Sequence, residues 1–237
     1  MNQALRLQTF QRRRQARWPW MLVAFCLISL TIKLTLVLMG PATADAWLHF
    51  WGFRPDTIMA VFHSRPYSEW LDQDIAGLFT ALFMHADWLH IAGNLAYLWV
   101  FGIAVERAIG HWRFALLFLL LGGLANLFVA WRLDGTDLLV IGASGGVSAI
   151  IGVYLGLFPT RRMGLWIPLG LYLQFAKVPA LLVIGSWFTL HLLYSVFGPI
   201  SETVAWSAHV AGFLLGVLAA LLLRLLPGTI QFASTDD

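Results

Sequence analysis

Five polar side chains stand out because apolar residues surround them: Ser144, His209, His90, Asn94 and His85. Ser144 lies in Ile141-Gly142-Ala143-Ser144-Gly145-Gly146-Val147, and the apolar run then continues to Phe158. A serine hydroxyl paired with a histidine base is a nucleophile for acyl transfer. Its reaction also needs donors for the charge that develops on the attacked oxygen. Ser144 is read as the nucleophile and His209 as the general base and acid. His90 and Asn94 are four residues apart, so on a helix they share one face, and both can donate. The bland alternative for Ser144 is helix packing, since serine beside glycine lets helices approach closely. For His209, His90 and Asn94 it is a structural hydrogen bond.

Zinc is the other common use of clustered histidines. The sequence has no H-E-x-x-H, no cysteine pair and no carboxylate on a helical face with the histidines, so no metal and no other cofactor is expected. Gly142-Ala143-Ser144-Gly145-Gly146 also fits G-x-S-x-G, but that elbow needs a preceding strand inside a soluble α/β sheet.

Elements must hold these residues, and composition says where. The 237 residues are 59% hydrophobic and 11% charged, with a mean hydropathy of +0.76. Soluble domains carry about 25% charged residues, so the chain reads as an integral membrane protein. A pI of about 9.4 would suit nucleic acid, but the basic residues flank apolar runs instead of lining one face, and no nucleic-acid partner is expected. The single cysteine, Cys26, excludes an internal disulfide.

With about 20 residues per crossing, helical spans are predicted near Trp20–Met39, Leu82–Ile103, Phe114–Trp131, Val140–Phe158, Pro179–Phe197 and Val204–Leu226. The apolar runs do not alternate, which argues against a membrane barrel. Of the 15 Lys and Arg residues, only Arg54, Arg65 and Arg132 fall outside when the N-terminus is cytoplasmic, and Lys33 lies within the first span. The remainder fall inside, as the positive-inside rule requires. The fold class is therefore all-α: a polytopic bundle of six transmembrane helices with both termini cytoplasmic.

The expected divisions are a basic N-terminal segment over 1–17, a membrane domain over 18–226 and a cytoplasmic tail over 227–237. The first span is too long for a leader h-region and lacks a clear cleavage signal, so it reads as retained. Residues 40–81 form a long outer loop rich in aromatics, including Trp47, Trp51, Tyr67 and Trp70, which places it partly among lipid headgroups. Met163–Phe175 is apolar but short and contains Pro168, so it is assigned to the cytoplasmic interface. Lys33 and Asn126 read as snorkelling or packing residues.

The second, fourth and sixth spans all start at the outer face, with their polar groups near those starts. Counting from Val140 and Val204, Ser144 and His209 fall at similar depth, about 6–8 Å in. His209, Gly212 and Gly216 share one face, which turns the histidine toward a neighbouring helix.

Taken as a set, these segments resemble the rhomboid intramembrane serine proteases. Gly142-Ala143-Ser144-Gly145 is similar to that family's G-x-S-G motif. Ala208-His209-Val210-Ala211-Gly212 with Gly216 resembles its A-H-x-x-G-x-x-x-G helix. His85-Ala86-Asp87-Trp88-Leu89-His90-Ile91-Ala92-Gly93-Asn94 resembles its H-x-x-x-x-H-x-x-x-N helix. The resemblance spans roughly Thr57 to Leu226. It implies a Ser144–His209 dyad, an oxyanion hole from the Ser144 backbone with His90 and Asn94, and His85 as a supporting group near the cavity mouth. Gly142, Gly145, Gly212 and Gly216 would serve close helix contact.

The implied substrates are transmembrane proteins cut in or near their membrane segments. The implied partners are those substrates and membrane lipids, and a bacterial inner membrane fits the short, basic-ended chain. The alternative is a non-proteolytic relative that binds transmembrane segments. A transporter would want repeats or broken helices at the midplane. Two positions depart from the family. Asp74–Thr80 stands where many members carry Trp-Arg, and Ser148 stands where an aromatic residue packs on the histidine. The second departure leaves the His209 ring without its usual stacking partner.

Overall fold

A computed structural model describes residues 18–64, 73–169, 172–197, 200–226 and 230. The arginines of segment 1–17, the loop residues Arg65, Tyr67, Glu69, Trp70 and Asp72, and the tail apart from Ile230 lie outside the described residues.

The first helix, α1 (Trp20–Met39), matches the predicted span. The outer loop is not a loop throughout. It holds three short helices, α2 (Pro41–Trp51), α3 (Pro55–Ser64) and α4 (Gln73–Thr80), the last running into a 3-10 turn at Ala81–Phe83. The second predicted span is displaced. Its helix, α5 (Trp88–Ile109), begins only after the irregular stretch Met84–Asp87, where the Asp87 carboxylate accepts the His90 N–H at 2.8 Å as an N-cap. Gly110, at φ 87°, allows the immediate reversal into α6 (His111–Arg132).

The fourth predicted span is shortened at its start. Val140–Ala143 is extended or turn, and α7 runs over Ser144–Leu157. At 14 residues it is about 21 Å long, less than a hydrocarbon core of about 30 Å. Its burial explains this: most residues from Gly145 to Leu157 are covered by neighbouring helices, so protein and not lipid surrounds it.

The expected interfacial stretch is a β-hairpin, whose two strands stand out among the mostly helical described residues. Strand β1 (Arg162–Leu169) pairs antiparallel with β2 (Tyr172–Pro179), Arg162 opposite Pro179 and Leu169 opposite Tyr172. The Ala180 N–H donates to the Arg161 carbonyl at 2.8 Å, closing the hairpin at its base. Helices α8 (Ala180–Phe197) and α9 (Ile200–Leu225) complete the chain. By length and composition, α1, α5, α6 and Trp206–Leu225 of α9 suffice to cross a membrane.

Packing centres on α7. Carbon atoms added at Gly212 and Gly216 would strike the carbonyl oxygens of Gly145 and Ala149, and one added at Gly152 would strike that of Phe213. Helices α7 and α9 therefore meet backbone to backbone, the contact small residues permit. On the other side of α7, Gly146 faces the Phe118 ring of α6. Aromatic rings fill the space between α1 and α6, with Phe25 at 4.8 Å from Phe118 and 5.6 Å from Phe83.

One buried carboxylate fastens α1 to the C-terminal end of α5. Glu106 accepts the backbone N–H groups of Met21 and Leu22 at 3.0 and 2.9 Å, and contacts His111 Nδ1 at 2.5 Å. The first N–H groups of a helix lack intrahelical acceptors, and Glu106 supplies two of them. Toward the C-terminal end of α1, Lys33 donates from Nζ to the Ala86 carbonyl at 2.6 Å. It is buried and does not snorkel to the surface.

Candidate active site

Ser144 is the first residue of α7, and the segment before it is fixed by outside contacts. Phe53 and Val140 exchange both backbone hydrogen bonds, at 3.2 and 2.8 Å. Arg54 pairs with Asp137 at 2.9 Å. The Gly142 N–H donates to the Ala81 carbonyl at 2.9 Å, and the Ala143 N–H reaches His85 Nε2 at 3.4 Å. Gly142 has φ 124°, a conformation open mainly to glycine, and a Cβ there would stand 2.7 Å from His90 Nε2. The His90 ring thus leans on the backbone two residues ahead of Ser144.

Ser144, His209, His90 and Asn94 all line one cavity of about 620 Å³, with Gly142, Asn126, Ser148 and Trp187 among its other walls. The structure brings together side chains from α5, α7 and α9 that the sequence keeps up to 119 residues apart (209 − 90). Asn94 is buried and donates from Nδ2 to the His90 carbonyl at 3.1 Å. An amide carries two N–H bonds, so one remains to serve the cavity. Ser144 stands at a helix N-terminus, where backbone N–H groups and the helix dipole both favour negative charge. Asn126 donates to the Leu78 carbonyl at 2.7 Å, which ties α6 to α4.

His85 is placed differently from the cavity residues. It is fully buried behind Ala143, in the stretch before α5 and outside the spans. Burial, with the neighbouring His90 adding to it, pushes its pKa down to about 4. It is therefore neutral at physiological pH and can accept the Ala143 N–H at Nε2. The exposed Asp87 carboxylate beside it is held below its ordinary range by the His90 N–H. The glycines divide their work: Gly142 makes room for His90, Gly145 lets α7 approach Ala125 and Asn126 of α6, and Gly212 and Gly216 bring α9 against α7.

The empty stacking position left by Ser148 is filled from elsewhere. Trp187 of α8 stacks on the His209 ring, centroids 6.3 Å apart and planes 27° apart. Trp206, three residues before His209, meets the same ring edge-on at 5.7 Å. Nothing in sequence spacing points to Trp187.

The sequence profile of the Rhomboid domain matches residues 72–225. That is α4 through α9, and α1 lies outside it. Rhomboid-like protein 11, chloroplastic, of Arabidopsis thaliana is 28% identical over 203 residues, which is 81% of this chain and 64% of that protein. Rhomboid protease GlpG of Salmonella paratyphi A and of Salmonella typhi is 26% identical over 226 residues, 92% of this chain and 69% of theirs. The chain thus spans about two thirds of the length of these relatives.

Proposed function

The chain belongs to the rhomboid family, a polytopic membrane family, and from that premise we propose that it is an intramembrane serine endopeptidase. It cuts transmembrane protein substrates in or near their membrane segments. The observation that carries this reading is the single cavity lined by Ser144, His209, His90 and Asn94. The GlpG relatives, named as rhomboid proteases, agree with it.

In the proposed reaction His209 accepts the Ser144 proton as Oγ attacks the scissile carbonyl. The oxyanion forms beside the start of α7, within reach of the Ser144 N–H, Asn94 and His90. His209 then gives its proton to the leaving amine, and the C–N bond breaks to leave an ester on Ser144. Water from the cavity, deprotonated by His209, hydrolyses the ester and restores the serine.

We further propose six spans with both termini cytoplasmic, supported by the charge asymmetry. The membrane domain covers 18–226, flanked by the segment 1–17 and the tail 227–237. A bacterial inner membrane is the setting, consistent with the Salmonella relatives, although a chloroplast relative also matches.

Purified protein reconstituted with a tagged single-span substrate tests the reading. Cleavage by the wild type, and none by Ser144→Ala or His209→Ala, is expected. Cleavage that survives Ser144→Ala rejects the mechanism. Labelling of Ser144 by a fluorophosphonate checks the nucleophile separately.

A further inference from the structure

Lys33 is a buried charged residue that the proposed reaction leaves unused. It lies 13 residues into α1 (33 − 20), which is 8% exposed at this position, and α1 is not part of the matched domain. A cation inside a span is costly and calls for a specific partner. The partner is the Ala86 carbonyl, 2.6 Å from Nζ, and the ammonium also stands 5.8 Å from the centre of the Trp88 ring.

Ala86 belongs to the stretch that underlies one wall of the cavity. Its neighbour His85 receives the Ala143 N–H, immediately before Ser144. Its other neighbour, Asp87, caps α5 through the His90 N–H. The His85 and His90 rings meet edge to face at 5.1 Å, and His90 abuts Gly142. Besides the bonds from Met84 N–H to Ala81 and from Ile91 N–H to Asp87 along the chain, this four-residue stretch is held by one hydrogen bond each from Ala143, His90 and Lys33, and the last ties it to α1. Without it, the carbonyl of Ala86 and the turn into α5 lose their hydrogen bond to α1.

We propose that Lys33 is a positioning residue for the oxyanion side of the site: by gripping Ala86 it sets His85 under the Ala143 amide and His90 against Gly142. The proposal rests on the proteolytic reading for its kinetic consequence but not for its structural one.

Two measurements on reconstituted full-length protein separate the two. Hydrogen exchange followed by mass spectrometry compares the wild type with Lys33→Met, which keeps the length and apolar stem, and with Lys33→Arg, which keeps a donor. Faster exchange in peptides covering 84–90 and 141–146 is expected in Lys33→Met, with peptides of α6 and α9 unchanged and Lys33→Arg closer to wild type. Cleavage kinetics should show kcat lowered about tenfold or more in Lys33→Met, the scale of a disturbed oxyanion donor, with KM within about twofold because substrate docking is untouched. In Lys33→Ala, added propylammonium should restore part of kcat, whereas propanol should not.

Unchanged exchange at 141–146 in Lys33→Met overturns the proposal whatever the enzyme does. So does wild-type kcat, or a loss of kcat explained by fewer fluorophosphonate-reactive molecules. Cleavage that persists in Ser144→Ala instead rejects the proteolytic reading and leaves the exchange result to judge Lys33 alone.

Discussion

The indole of Trp187 lies against the imidazole of His209, 6.3 Å between ring centres and 27° between planes. The two residues come from adjacent helices, α8 and α9, and Ser148 of α7 lines the same cavity. A ring stacked on one face and met edge-on by Trp206 at the other contact has few orientations left. Ser148 presents only a small side chain to the cavity that the indole also lines.

That arrangement predicts a graded loss at position 187. An aromatic pair is worth about 0.5–1.5 kcal/mol, so Trp187→Ala should lower kcat roughly two- to tenfold, while Trp187→Phe should keep most activity. Ser148→Tyr should be harmful in the wild type, where the indole already fills the space, and should recover part of the activity of Trp187→Ala. Substrate cleavage by the wild type and these four variants in matched vesicles measures this.

The backbone contact between α7 and α9 predicts a sharp penalty for added carbon. A methyl at Gly212 or Gly216 meets a carbonyl oxygen that no rotamer change can move. Overpacking of this kind costs about 1–3 kcal/mol, and it separates the helices that carry Ser144 and His209. Both alanine variants should lose cleavage while still folding, with a lowered Tm in detergent. Gly185→Ala is the control: nothing lies within 4 Å of the added carbon, and helical alanine is favoured over glycine by about 1 kcal/mol, so Tm should hold or rise.

Glu106 should matter to stability before it matters to chemistry. Its carboxylate serves two backbone donors of α1 and contacts His111. Glu106→Ala leaves those donors buried without an acceptor, at about 1–3 kcal/mol each. Thermal unfolding in detergent should show a clear fall in Tm, larger than for Glu106→Gln, which retains one acceptor oxygen. Fluorophosphonate labelling of Ser144 at low temperature should change little, because Glu106 caps the end of α1 away from Lys33 and Ala86.

His85 makes stability depend on pH in a stated direction. The unfolded chain takes up its proton near 6.5 and the native chain only near 4. Between those values the unfolded state binds more protons, so stability falls as pH drops from 6.5 toward 4 and is unaffected by this group above 6.5. The full effect is about 3 kcal/mol. His85→Gln should flatten that part of the curve, measured as Tm against pH.

The helices were legible from apolar run length, and the site from polar residues that such runs should not contain. Their limits were harder to read for specific reasons. Leu138, Leu139, Val140 and Ile141 are as apolar as the helix that follows them, so the extended approach to Ser144 looked like its first turn. The counts from Val140 and Val204 that suggested equal depth no longer apply, since α7 starts at Ser144 and α9 at Ile200; the shared cavity takes their place. Met163–Phe175 carried no usable period, because an apolar residue occupies most positions on both strands. Trp187 depends on how two helices are rotated against each other, which spacing along one chain does not contain.

The hairpin between α7 and α8 has a closed base, with Arg161 and Ala180 already hydrogen-bonded to each other. The 18 residues between them (179 − 162 + 1) leave the main path and return to the point of departure. Their length is thus decoupled from the spacing of the two helices they join. In the language of protein engineering this is an insertion port: sequence can be lengthened, trimmed or exchanged there, for a reporter or a purification handle, without resetting the register of the helical bundle.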